Sequence, residues 1–272
     1  MQSALIYLRD KNMSYNYSNP VVSSLERNSE VLAGTSGQLM TLEGTAKKAV
    51  MLIALCLITG FMMYFKAEGM VADMIVNGGS GGGLYGITTM ALIVGAVLGL
   101  VGTFFPKSAK VVAPVYSIAE GIFLGGVTAV FESRYPGVGF AALSATVVTA
   151  LSMFIAFSTG LIAATPFLKK FLMMAGIAII LTYIINLVMH LCGGSGIETI
   201  QVENHSLLSY GVQTLICAVA SLFLIWDFDN IANSHGRVGK EYEMAYAMGL
   251  LMTLVWMYLE FLKLFAKINS DN

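Results

Sequence analysis

Two acids stand out by position. Asp227 closes an apolar run in Trp226-Asp227-Phe228-Asp229-Asn230-Ile231, and Glu260 sits inside the next, in Tyr258-Leu259-Glu260-Phe261-Leu262-Lys263-Leu264. A carboxylate in hydrocarbon costs roughly 2.5–3.5 kcal/mol on insertion scales, so such groups face a protein interior or a wet cavity and are functional by default. Hard cations seek oxygen ligands, which intramembrane acids supply. Asp227 and Glu260 therefore lead the candidate functional groups. Five formal charges fall inside the apolar runs: Glu120, Asp227, Asp229, Glu260 and Lys263. At about 100° per residue, Asp227 and Asp229 point about 160° apart, so one faces inward and the other reaches the interface. Glu260 and Lys263, three apart, share a helix face and can pair, or Lys263 can snorkel to water. Glu120 is either a neutral, hydrogen-bonded acid or part of the same cavity wall. Asn186 and His190, one turn apart, read as a satisfied polar pair rather than a metal site.

The elements that must position these groups are membrane spans. The chain of 272 residues is 57% hydrophobic and 11% charged, against about 25% charged in soluble domains. Seven apolar runs, near 46–65, 84–105, 112–131, 138–160, 171–191, 207–231 and 244–266, each approach the ~20 residues needed to cross a bilayer. They are continuous rather than alternating, which favours helices over a barrel. The expected fold is an all-α integral membrane protein, a bundle of seven transmembrane helices. It divides into a polar, partly disordered tail (1–45), the membrane domain (46–268) and a short C-terminal end (269–272). The tail lacks an apolar face, so residues 1–40 are expected to be dispensable. Thr41 with Gly44 is a helix-start signal. The first run begins near Ala46, too late for a cleavable signal peptide.

Several features are punctuation or packing. Asn77-Gly78-Gly79-Ser80-Gly81-Gly82-Gly83 is a linker, without the Lys-Ser/Thr of a phosphate loop. Residues 192–206 form the other long loop. Gly95-Ala-Val-Leu-Gly99 and Gly121-Ile-Phe-Leu-Gly125 allow close backbone approach inside the bundle. Cys56, Cys192 and Cys217 have no metal-ligand spacing. A net charge of −1 argues against a nucleic-acid partner. Lysine and arginine pairs at Lys47/Lys48, Lys107/Lys110, Lys169/Lys170 and Arg237/Lys240 place the N-terminus in the cytoplasm by the positive-inside rule. Lys263 and Lys267 run against that rule at the last span's end.

The stretches around Asp227 and Glu260, with Ala119-Glu120-Gly121-Ile122-Phe123-Leu124-Gly125-Gly126 in the third run, resemble the Bax-inhibitor family of small membrane proteins. The resemblance covers about residues 46–268, and the tail, with Ser18-Asn19-Pro20-Val21, resembles a bacterial branch with an N-terminal extension. It implies a bacterial inner-membrane protein whose last helix is central. It implies a calcium leak gated by pH, with paired acids on helices six and seven as sensor. By position these are Asp227 and Glu260, the latter where characterised members usually carry aspartate. Some members clamp the aspartate with an arginine on an early helix; here Arg9, Arg27, Arg134 and Arg237 all lie outside the runs. Contact between Asp227 and Glu260 requires residues 241–250 to begin as a helix outside the membrane. Calcium ions and protons are then the cargo and signal, membrane lipid the surroundings, and neither enzymatic activity nor a resident cofactor is expected. The competing readings are a proton-coupled secondary transporter, an intramembrane aspartyl protease, a retinal-type photoreceptor using Lys263, and a non-transporting regulator of other membrane proteins. The protease reading lacks a Gly-x-Gly-Asp pattern at Glu260.

Overall fold

The structure is a computed structural model that describes residues 38–77, 82–193, 197 and 200–270. Seven long helices follow in order: α1 (Leu42–Asn77), α2 (Gly82–Phe104), α3 (Ala109–Arg134), α4 (Val138–Ser158), α5 (Pro166–Leu191), α6 (Leu207–Ser234) and α7 (Glu243–Ser270). All seven are long and apolar enough to cross a membrane. Short 3₁₀ turns at Pro106–Ser108 and Lys240–Tyr242 lead into α3 and α7.

Local chemistry sets the helix starts. Thr41 caps α1, its hydroxyl accepting the Gly44 amide at 3.0 Å. Thr165 caps α5 ahead of Pro166, a residue suited to the first helical position. Ser206 caps α6 by accepting the Ser209 amide. Glu132 accepts from the amides of Gly137 and Gly139 at 2.5 and 2.9 Å, which places an acid at the start of α4. Gly137 itself takes φ 89° to make the turn from α3.

The runs expected from sequence recur as helices, with one extension. Residues 66–77 continue α1 instead of forming a connection. Nothing breaks the helix before Gly78, and Met70 and Val71 pack with Leu84 and Ala129. The 36 residues of α1 reach about 54 Å at 1.5 Å each, well beyond about 30 Å of hydrocarbon.

The last helix is central. α7 packs against α1, α2, α3, α4 and α6, and its side chains reach Tyr183 of α5. Around its first half, Ala247, Met248, Leu251 and Val255 pack with Leu52, Ala113 and Tyr116. Around its second half, Met257 packs with Ala220 and Leu224, and Leu262 with Val138 and Ala142. The outward faces stay apolar, as Ile177, Ile180 and Ile184 do on α5.

The glycine patterns serve packing inside the bundle. A Cβ on Gly121 would strike Thr59 and the Cys56 carbonyl, and one on Gly125 would strike backbone at Gly60 and Tyr64. Only glycine lets α1 and α3 approach this closely.

Residues 1–37 of the expected tail lie outside the described residues. Residues 38–41 are no tail. Leu39 forms an antiparallel bridge with Gly239 in the α6–α7 connection. The Met40 amide donates to the Val238 carbonyl at 2.8 Å, and the Lys240 amide to the Gln38 carbonyl at 3.0 Å. Met40 is fully buried among Val238, Tyr242 and Tyr246. The ground for expecting residues 1–40 to be dispensable for transport, the lack of an apolar face able to pack on the bundle, therefore fails at 38–40. That ground does not detect a short strap that packs through one side chain and its backbone. Helix α1 also starts within the expected tail, at Leu42 rather than Ala46.

Candidate functional site

Asp227 and Asp229 point to opposite sides of α6, as their spacing requires. Asp227 faces α7, where the Thr253 hydroxyl donates to its Oδ2 at 2.5 Å. Asp229 faces α5 and pairs with Lys169 at 2.5 Å. That pair satisfies Asp229 near the helix end and leaves Asp227 as the inward acid.

Glu260 is buried, with its side chain 1% exposed, and is ringed by donors. Tyr183 of α5 donates to both carboxylate oxygens at 2.9 Å. Gln213 of α6 donates at 3.0 Å to Oε2 and to the Glu260 carbonyl. Trp256 donates at 3.0 Å and Lys263 at 2.8 Å to Oε1. Lys263 also donates to the Tyr183 hydroxyl at 2.8 Å and lies 4.4 Å from that ring's centroid, within cation–π range. This is an environment built for a carboxylate anion, and it ties α5, α6 and α7 together. Lys263 pairs within the bundle instead of snorkelling free.

Among the described residues, no hydrogen bond joins Asp227 to Glu260. Helix α7 does begin at Glu243, after the Lys240–Tyr242 turn. That start does not bring the two acids level. Asp227 meets Thr253, and Glu260 lies seven residues further along α7, about 10.5 Å at 1.5 Å per residue. The two acids share the central helix but not a bond.

Glu120 stands elsewhere, buried in α3 and facing α2. Tyr116 lies one turn before it on the same helix and is buried with it. Gly95 makes room for the Glu120 carboxyl, because a Cβ there would come within 2.7 Å of Glu120 Oε1. Asn186 accepts the Ile197 amide at 2.8 Å and so ties a loop, while His190 is exposed. Among the described residues, no group of three or more His, Cys, Asp or Glu is placed to hold a metal ion.

Sequence reading missed the neutral partners: Tyr183, Gln213, Trp256 and Thr253. A polar side chain such as Gln213 or Thr253 inside an apolar run is the signal that would have found them, since the membrane interior penalises any unpaired polar group. It also missed Glu243, which is buried at the head of α7. Its carboxylate accepts from the Thr41 amide at 2.9 Å and pairs with Lys48 at 2.6 Å. Gly44 leaves the space it occupies. At the other end of α7, Lys267 is buried and donates to the Ser209 hydroxyl. Lys263 and Lys267, the two residues that run against the positive-inside pattern, are thus both engaged inside the bundle.

The chain matches the family described as Bax inhibitor 1 like across residues 19–270. No curated protein and no solved structure matches it. The family match takes in all seven helices, the strap at 38–40 and part of the tail.

Proposed function

The chain belongs to the Bax inhibitor 1 like family, and from that premise we propose that it is a pH-sensitive, calcium-permeable leak of a bacterial inner membrane, with its N-terminus in the cytoplasm. The observation that carries the reading is Asp227: a carboxylate inside a helix long and apolar enough to cross a membrane, turned toward the central helix and bonded there, among the described residues, by one hydroxyl. A carboxylate so placed attracts a hard cation when ionised and loses that attraction when protonated. The leak therefore rises as pH rises and falls as Asp227 takes up a proton.

Asp227 and Glu260 act as the gating pair through α7 rather than by touching. Asp227 exchanges proton and cation. Glu260, held by side chains of three helices, fixes the position of α7 against α5 and α6. Calcium is cargo in this reading, and the chemistry needs no resident cofactor.

The test is calcium flux into liposomes carrying the purified protein, measured at two pH values. Flux that increases with pH, and whose pH dependence is lost in Asp227→Asn, supports the proposal. Absence of flux at both values sinks it and favours a non-transporting regulator.

A further inference from the structure

The strap at Gln38–Thr41 sits on the turn between α6 and α7, and its hold there is mostly backbone. Gly236 takes φ 69°, a turn open to glycine, and its amide donates to the Met40 carbonyl at 3.0 Å. The Met40 amide returns a bond to the Val238 carbonyl at 2.8 Å, and the Lys240 amide reaches the Gln38 carbonyl at 3.0 Å. His235 Nδ1 lies 3.1 Å from the same Met40 carbonyl. One residue on, the Thr41 amide and hydroxyl donate to Glu243 at the head of α7, at 2.9 and 3.1 Å.

Met40 is the buried side chain of the strap, with 0% exposure, whereas Gln38, Leu39 and Thr41 are exposed. It packs with Val238, Tyr242 and Tyr246, and Ile231 lies against them. Those residues come from the end of α6, the turn and the start of α7, so Met40 fills the place where the two helices part. Tyr246 meets Ser234 at 2.6 Å across the same interface. Ile231 is one turn from Asp227. Met40 therefore stops the end of the α6–α7 interface that leads to Asp227.

We propose that residues 38–41 are a releasable latch: seated, they close this end of the α6–α7 interface to water and ions, and unseated, they open it. The manner of anchoring separates a latch from a fixed part of the core. Helix α1 is held along its length by α3 and α7, and Lys48 pairs with Glu243 at 2.6 Å. The strap can thus leave while α1 stays and Glu243 keeps a partner. A short extended segment, bonded to a turn and plugged by one apolar side chain, opens at less cost than the packed helices around it. The latch rests on the leak reading for its purpose, since it regulates the way to Asp227, but its seat is tested without flux.

The experiment uses the full-length protein with Cys192→Ser, which removes the exposed thiol. Ser234→Cys then puts a reporter, at a position 8% exposed, beside Tyr246 of the Met40 cluster. Cys56 and Cys217 are buried and report unfolding of the bundle. Maleimide labelling is followed at each position by mass spectrometry at fixed pH. Met40→Ala is expected to speed labelling at position 234 about tenfold and Met40→Asp further, because the open population sets the rate and each variant weakens the plug. Leu42→Ala, an exposed residue just past the strap, is expected to stay within about twofold. Should Met40→Asp fail to fold, Met40→Ala decides alone. Unchanged labelling at position 234 overturns the latch, and so does faster labelling that extends to Cys56 and Cys217.

A second arm locks the strap. Leu39 and Gly239 are bridge partners, and such partners have Cα atoms about 4.5–5.5 Å apart, within the range a disulfide spans. A Cβ at Gly239 would meet the flexible end of Glu241. Leu39→Cys with Gly239→Cys is added to Cys192→Ser and Met40→Ala, without the reporter at 234. Calcium flux into liposomes is expected to fall severalfold when the disulfide forms and to return on reduction. Equal flux in both states of a conducting protein overturns the latch and leaves the leak. Faster labelling at position 234 with no flux in any variant removes the leak and leaves the closure.

Discussion

Among the described residues, Glu260 receives hydrogen bonds from four side chains on three helices, whereas Asp227 receives one, from Thr253. Both are acids inside membrane spans, and sequence alone gives them equal standing. Their surroundings separate them. A carboxylate with every lone pair engaged is a structural joint, because taking on a proton or a cation means giving up bonds already made. A carboxylate with one partner has capacity left for a ligand. Number of donors, more than burial, divides the acid that holds the bundle from the acid that can act.

The sharpest way to break this contrast is to remove the joint. Glu260→Ala removes the carboxylate to which Tyr183, Gln213, Trp256 and Lys263 donate, and losing one partner of a buried ion pair costs about 3–5 kcal/mol. Thermal melting of the purified protein should show a large fall in midpoint, and an unchanged melt would mean the ring of donors is not structural. Next comes Asp227→Asn. Only one hydrogen bond is at stake, worth about 1 kcal/mol, so the melt should barely move while flux loses its pH dependence. A flux profile that still follows pH would transfer the sensing role to another group.

Combining Asp227→Asn with Glu260→Gln asks whether the two acids ever meet. Sites more than about 7–10 Å apart add within about 0.5 kcal/mol, and the two acids are about 10.5 Å apart along α7 by residue rise. Additive stability losses are expected. Coupling well above that value would reveal a second arrangement in which the acids touch. The smallest effect is expected at Lys48→Met, since Lys48 is 28% exposed and solvent weakens its pair with Glu243. A loss of about 1 kcal/mol or less is anticipated, read by the same melt; Glu243→Ala should exceed it because that carboxylate also accepts from Thr41.

The seven spans were legible in the sequence because length and hydropathy are properties of single segments. The opposite headings of Asp227 and Asp229 were legible too, from helical periodicity. The family likeness was carried by the stretches around Asp227, Glu260 and Glu120. What stayed hidden depends on register between helices. No local pattern says that Asp227 stands opposite Thr253 or that Gln213 reaches Glu260. No arginine falls inside the apolar runs, and the base that pairs with Glu260 is Lys263 on the same helix. The strap at Gln38–Met40 was invisible for a related reason: its partners lie at the far end of the chain.

That strap bears on how the protein is assembled. Thr41 and Glu243 are 202 positions apart in the chain, yet they bond. A growing chain threaded into a membrane from its N-terminus makes α1 long before Glu243 exists. Residues 38–41 must therefore wait, unpaired, until six spans are in place and the turn into α7 emerges. Contacts of such long sequence separation form late, since the loop they close must be brought together first. The bridge between Leu39 and Gly239 is thus a closing step of folding, made only when α7 has arrived beside α1 in the correct register.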